Sequence, residues 1–314
     1  MGKIAFVFSG QGAQYVGMGK ELAEQYEVAK NIFEKADKAL ELDVQGLCFN
    51  GPEEDLNRTE NTQPAILTTS IAILEILKEK GLKADVYAGL SLGEYTAHVA
   101  AGTLEFEDAV RLVKKRGRYM QEAVPEGKGT MAAIIGLEEE SVAEIIKKAS
   151  VHGIIEGANY NCPGQIVVGG EVDAVKSSIK LAEEAGAKMA VQLKVSAPFH
   201  TSMLKPAADR LSEALESVEL NDGAEPVISN VTADYIDSKE SVKTLLIDQV
   251  KSSVLWEASV NKMIEDGVDT FIEIGPGKVL SGFIKKINRK LNIYNVENLK
   301  TLEKTLNKLE VEVC

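Results

Sequence analysis

The chain opens on "KIAFVFSG", an unbroken apolar run closed by Gly10. A run this short, with no polar alternation, is the pattern of a strand buried on both faces. Helical periodicity follows over 17–42 and again in "QPAILTTSIAILEILKEKG", which ends on Gly81. "ADVYAGLS" predicts a second buried strand, and 92–102 and 105–123 carry the helical repeat. Strands alternating with helices predict a parallel sheet covered on both faces.

The texture changes after "VPEGKG", a turn-rich stretch. "TMAAIIGL" predicts a strand and "EEESVAEIIKKAS" a helix. Two strands follow, "GIIEGANY" and "QIVVGG", separated by "NCPG". A helix, "EVDAVKSSIKLAEEAG", and a strand, "AKMAVQLKVS", complete the unit. The order βαββαβ is that of a ferredoxin-like subdomain. Beyond "SAPFH" the first style returns. A helix is expected over 201–217, a strand in "PVISNVTA", and a helical stretch through Trp256 and Val260. A strand, a glycine turn and a helix are expected in "VDTFIEIGPGKVLSGFIKKI". The expectation is therefore an α/β protein. Its large, α/β-hydrolase-like domain, with a mostly parallel sheet, comprises 1–125 and 196–314. The small ferredoxin-like subdomain, 126–195, is inserted between them, and a cleft between the two is the natural ligand site.

Composition narrows the function. The 314 residues exceed what one core usually serves, which fits two units. A net charge of −13 argues against nucleic acid as the main partner. No apolar run approaches the ~20 residues of a membrane span, and the opening run is too short for a signal peptide. A cytoplasmic protein that does not engage membranes is expected. Cys48, Cys162 and Cys314 are scattered, so neither a disulfide framework nor a metal site is expected. Lys285, Lys286, Arg289 and Lys290 form a local basic cluster, readable as a docking patch for an acidic partner or as a solvated helix face.

"AGLSLGEYTAHVAAG" holds a G-x-S-x-G sequence, Gly89 to Gly93, directly ahead of a helical pattern. It reads either as a nucleophile elbow presenting Ser91 or as a glycine-eased turn with Ser91 as a helix N-cap. A serine nucleophile needs a base, usually histidine. Of three histidines, His98 lies two helical turns beyond Ser91, roughly 10 Å along the axis, and suits packing. His152 suits a surface turn. His200 stands where the chain re-enters the large domain and is the best base. "SGQGAQYVGMG" is not a dinucleotide fingerprint, because Tyr15 stands where the third glycine is needed. A glycine-rich loop there can instead bring a backbone N–H, that of Gln11, to an oxyanion. The partner donor would be the N–H of Leu92, after the nucleophile.

"RLVKKRGRYMQEA" carries five cations that cannot share one face of a helix turning ~100° per residue. Arg116 falls beside the apolar stripe of Leu112, Val113 and Met120. A buried guanidinium there wants a carboxylate, supplied by a substrate or by a structural acid.

Together, "FVFSGQGAQ", "NTQPAI", "GLSLGEY", "RLVKKRGRYMQEA", "NYNCPGQIVVGG", "SAPFH", "SNVTA" and "EIGPGKVL" resemble, in order, the malonyl-CoA:acyl carrier protein transacylase family of fatty acid synthesis. The resemblance spans essentially the whole chain. It implies transfer of malonyl from malonyl-CoA to the phosphopantetheine thiol of acyl carrier protein through a malonyl-serine, with no metal or organic cofactor. By the resemblance Ser91 is the nucleophile, His200 its base, and Gln11 and Leu92 the oxyanion donors. Arg116 would hold the malonyl carboxylate, and Gln249 would orient His200 through its backbone carbonyl. Phe199 resembles the malonyl-selective members. Leu90 departs from the family's commoner histidine at that position, which puts packing beside the nucleophile in question. A monomer is expected. The rival readings are a serine thioesterase or esterase-type hydrolase and a non-catalytic acyl-carrier-binding module.

Overall fold

The computed structural model describes residues 2–195 and 197–309. Four strands, β1 (Lys3–Phe8), β2 (Val86–Gly89), β7 (Val268–Ile274) and β8 (Asn292–Val296), form a sheet in the order β2-β1-β7-β8, parallel throughout. Alternation along β1 explains its unbroken apolar run. Phe6 and Phe8 enter one buried cluster, and Ala5 and Val7 enter another on the opposite face. The first cluster is filled largely by the Thr59–Glu79 helix, which is buried along most of its length.

A second sheet runs β4-β5-β3-β6, built from β3 (Gly129–Ile135), β4 (Ile155–Cys162), β5 (Gln165–Glu171) and β6 (Met189–Gln192). All its pairings are antiparallel. Two helices, Glu139–Ala149 and Val172–Glu184, complete the βαββαβ order. The two sheets are joined by more than the connecting chain. Val254 N–H donates to the Ala158 carbonyl (2.9 Å), and Tyr160 N–H donates to the Val254 carbonyl (2.9 Å). Beside them the Ser253 hydroxyl donates to the Gly157 carbonyl at 2.6 Å. This seam ties β4 to a loop of the large unit.

Three expectations differ from the structure. "PVISNVTA" is not a named strand: it pairs with β2 only over Pro226–Ile228, where Tyr87 N–H donates to the Pro226 carbonyl and Ile228 N–H to the Tyr87 carbonyl, with isolated bridges at Tyr87–Val227 and Ile228–Tyr235. Beyond Ile228 its backbone is engaged elsewhere: Asn230 N–H donates to the Glu94 carboxylate, and Ser229 N–H closes a turn on Asp234. The helical stretch through Trp256 is two helices, Lys239–Lys251 and Trp256–Glu265, interrupted at the seam. Strand β8 and the Leu299–Lys308 helix, started by an Asn298–Thr301 capping box, were not anticipated. Among the described residues, no helix is long and apolar enough to cross a membrane.

Candidate active site

Ser91 occupies the turn between β2 and the Leu92–Ala100 helix, at φ 54°, ψ −103°. Left-handed backbone at a non-glycine residue is strained and persists only where its surroundings enforce it. The flanking glycines are part of that enforcement. A Cβ on Gly89 would lie 2.0 Å from the Gly93 carbonyl carbon, and one on Gly93 would lie 2.1 Å from the Phe8 carbonyl oxygen. Ser91 makes no side-chain cap to its helix. Its hydroxyl lies 2.7 Å from Nε2 of His200.

His200 is also left-handed, at φ 62°, on a turn in which the Thr201 hydroxyl donates to the Pro198 carbonyl at 2.7 Å. Its Nδ1 lies 2.8 Å from the backbone carbonyl of Gln249. That carbonyl belongs to the last turn of the Lys239–Lys251 helix, where carbonyls lack intrahelical partners. Because a carbonyl only accepts, the pairing puts the proton on Nδ1 and leaves Nε2 to accept from Ser91. Burial holds His200 down at about 4, the positive charge of Arg116 adds to this, and the Gln249 contact opposes it. The ring is neutral at pH 7, the state a base requires.

Arg116 projects from the Phe106–Glu122 helix and is 1% exposed. Gly117 lets this helix approach the start of its neighbour, where a Cβ would lie 2.5 Å from the Thr59 carbonyl oxygen. Arg116 thereby reaches Gln63 Oε1 (2.8 Å), Gln249 Oε1 (2.9 Å) and the Ser91 hydroxyl (3.0 Å). The guanidinium stacks on Tyr95 at 5.0 Å, and its Nε has no partner among the described residues. Nor does any described carboxylate form an ion pair with it. Burial lowers its pKa from the usual arginine value.

Ser91, Arg116, Phe199, His200 and Gln11 line one cavity of about 330 Å³, together with Met120 and Met131. Leu92 is not on that lining. Its side chain is in the core, and it contributes the first N–H of the helix. Among the described residues, neither the Leu92 nor the Gln11 backbone N–H donates to a partner. Gln249 is fully buried behind the cavity. The other two histidines lie elsewhere. His98 is buried beside a separate cavity of about 220 Å³, and His152 is exposed at the end of a short 3₁₀ turn. The arrangement is a serine hydroxyl on a held imidazole, two backbone N–H groups free among the described residues and a buried cation, a set of groups that covalent acyl transfer can use.

Comparison with known proteins agrees. The acyl transferase domain family matches residues 5–311. A malonyl CoA-acyl carrier protein transacylase of Bacillus subtilis (strain 168) is 51% identical over 313 residues, 99% of both chains. That of Escherichia coli (strain K12) is 44% identical over 288 residues, covering 91% of this chain and 93% of the relative. The chain belongs to the malonyl CoA-acyl carrier protein transacylase family. A crystal structure of the Clostridium perfringens transacylase superimposes with a TM-score of 0.96 at 52% identity, covering 98% of this chain and 97% of that one. A transacylase solved in complex with a type II PKS acyl-carrier protein superimposes at 0.95 with 42% identity, over 98% of this chain and 99% of that one. The chain is an acyltransferase.

In this transacylase three residues bear on the site that sequence reasoning did not single out, although each sits in a quoted motif. Gln63, in "NTQPAI", accepts from Arg116. Asn230, in "SNVTA", accepts the Ser91 N–H at 2.6 Å and donates to the Gly89 carbonyl at 2.7 Å, clamping the elbow from both sides. Glu94, in "GLSLGEY", is buried beneath them, and burial pushes its carboxyl up to about 7.

Proposed function

We propose that the enzyme moves a malonyl group from malonyl-CoA to the phosphopantetheine thiol of acyl carrier protein through a malonyl ester on Ser91. The observation that carries this reading is the state of Arg116: a buried guanidinium with no carboxylate partner among the described residues, 3.0 Å from the Ser91 hydroxyl and on the wall of the same cavity. A desolvated cation is costly, and Glu94 favours its charged form only through space, with no direct ion pair. An acyl group ending in a carboxylate supplies the anion at the distance of a short diacid.

In the first half-reaction His200 Nε2 takes the hydroxyl proton as Ser91 Oγ bonds to the thioester carbonyl carbon. The Gln11 and Leu92 N–H groups receive the oxyanion, and losing one such donor typically costs about 2.7–4 kcal/mol. The C–S bond then breaks, the proton passes from His200 to the departing coenzyme A sulfur, and malonyl-Ser91 remains. In the second, His200 takes the proton of the phosphopantetheine thiol, whose sulfur attacks the ester carbonyl. The C–Oγ bond breaks and the proton returns to Ser91. Gln249 holds the His200 ring through both halves, and Phe199 closes the acyl side of the cavity. The steps use a hydroxyl, an imidazole and backbone donors, so no metal or organic cofactor is called for.

Carrier proteins rich in acidic residues would meet the exposed Lys285, Lys286, Arg289 and Lys290 at the end of the Val279–Ile287 helix, whose Val279 and Phe283 reach the cavity. A working monomer in the cytoplasm belongs to the same reading.

Intact mass spectrometry after mixing with malonyl-CoA tests the reading. A single malonyl adduct, absent in Ser91→Ala and discharged by holo acyl carrier protein, is expected. Steady release of free malonate without transfer would indicate a hydrolase, and no adduct at all would indicate a binding module.

A further inference from the structure

Glu94 is the third residue of the Leu92–Ala100 helix, fully buried, and no step above uses it. Its Oε2 accepts two hydrogen bonds, from the Asn230 N–H at 2.9 Å and from Gln249 Nε2 at 2.7 Å. Asn230 grips the elbow on either side of Ser91. Gln249 does more. Its Nε2 also donates to the Ser91 carbonyl (3.0 Å), its Oε1 accepts from Arg116 (2.9 Å), and its backbone carbonyl accepts from His200 (2.8 Å).

The polarity of these contacts matters. A glutamine amide can be turned end for end at little cost in shape. Turned here, its oxygen would face two acceptors, Glu94 and the Ser91 carbonyl, and its NH₂ would face the Arg116 donors. Glu94 Oε2 forbids that orientation, because the fixed Asn230 N–H holds it as an acceptor even when the unpartnered Oε1 carries a proton. The negative charge of Glu94 also favours the cationic form of Arg116.

We propose that Glu94 is a positioning residue for acyl transfer: its buried carboxylate locks the Gln249 amide in the one orientation that anchors Arg116 with its side chain and His200 with its backbone. The inference rests on the roles given above to Ser91, His200 and Arg116. A purely structural Glu94 would instead support only the fold around Asn230.

A double-mutant cycle separates these cases. The rate of malonyl adduct formation on Ser91 is measured in a single turnover with malonyl-CoA for the full-length wild type, Glu94→Gln, Gln249→Ala and the double variant, with a melting temperature for each. Losing a charge-assisted hydrogen bond in a buried network slows Glu94→Gln about 10- to 100-fold. In Gln249→Ala the amide that Glu94 orients is already gone, so adding Glu94→Gln slows the reaction by less than about 3-fold further. Losses that multiply in the double variant, or that follow the melting temperatures alone, overturn the proposal. Should Glu94→Gln fail to fold by itself, the comparison of Gln249→Ala with the double variant decides: little further loss supports the lock, and a further loss of about 10-fold or more removes it. A wild type that forms no adduct would instead remove the functional reading beneath it.

Discussion

The Arg116 guanidinium donates to the Ser91 hydroxyl across 3.0 Å, so the buried cation and the proposed nucleophile share one hydrogen bond. Among the described residues, the same guanidinium is the only arginine or lysine on the cavity wall, and its N–H groups can donate to a carboxylate. Arg116→Ala is therefore expected to lower kcat/KM for malonyl-CoA by about 100-fold, the worth of a buried charge-assisted pair. For acetyl-CoA, which brings no carboxylate, the loss is expected to be at least about 10-fold smaller. Adduct formation with both thioesters measures it, and equal losses would remove the carboxylate clamp.

His200 is held near 4 by burial first and by the Arg116 charge second. A carboxylate seated on Arg116 cancels the second influence and favours the imidazolium. The His200 pKa, followed by NMR of the ring protons, is expected to rise when malonate is added, and to stay unchanged with acetamide. The base would then be strongest when the correct acyl group is present. A His200 titration indifferent to malonate would show that the two charges are not coupled.

Gly93 touches the first strand closely enough that a Cβ would meet the Phe8 carbonyl oxygen at 2.1 Å. Backbone on both sides leaves nothing flexible to give way. Gly93→Ala is expected to cost about 3 kcal/mol of stability, the upper range for overpacking, together with most of the acylation rate. Urea denaturation and adduct formation would report both. A variant as stable and active as the parent would mean that the elbow can move away from β1.

His98 lies 1% exposed with neither ring nitrogen partnered among the described residues, and burial holds it down to about 4 from the ordinary histidine value of 6.5. Between those values the unfolded chain binds the proton and the folded one does not, so stability falls as pH falls from 6.5 towards 4. The size is on the order of 3 kcal/mol for this one group. Above 6.5 both states are neutral and the contribution vanishes. Glu94, raised to about 7, acts in the opposite sense over 7 to 4.5 and offsets part of the loss. His98→Gln is expected to flatten the acid limb of the stability curve, measured by denaturation at stepped pH. An unaltered limb would place the acid sensitivity elsewhere.

How much of this was legible in the sequence depends on whether spacing or packing carries the information. G-x-S-x-G declares itself because two glycines flanking one serine are a local solution to a local crowding problem at Phe8 and Gly93. His200 was found by its place in the chain order, at the re-entry into the large unit. Its distance of 109 residues from Ser91 is closed only by the fold. Glu94, Gln63 and Asn230 carry no such signature. Each is a polar residue that a helix or turn could present to solvent, and only the buried partners it meets reveal otherwise. "PVISNVTA" differs for the same reason: its apolar residues suggest a strand, but pairing with Tyr87 stops at Ile228 and the Asn230 N–H goes to the Glu94 carboxylate. Strand β8, "NIYNV", was missed because Asn292 and Asn295 break the apolar pattern of a short edge strand, which then reads as polar linker.

Between the two sheets, the backbone bonds of Val254 to Ala158 and Tyr160 leave little freedom for jaw-like opening. A mould whose halves are riveted sorts its contents by size in advance, without waiting to close around them. A longer or branched acyl group would have to be admitted by the thioether side chains of Met120 and Met131 swinging aside, which makes those two positions the natural place to retune what this enzyme accepts.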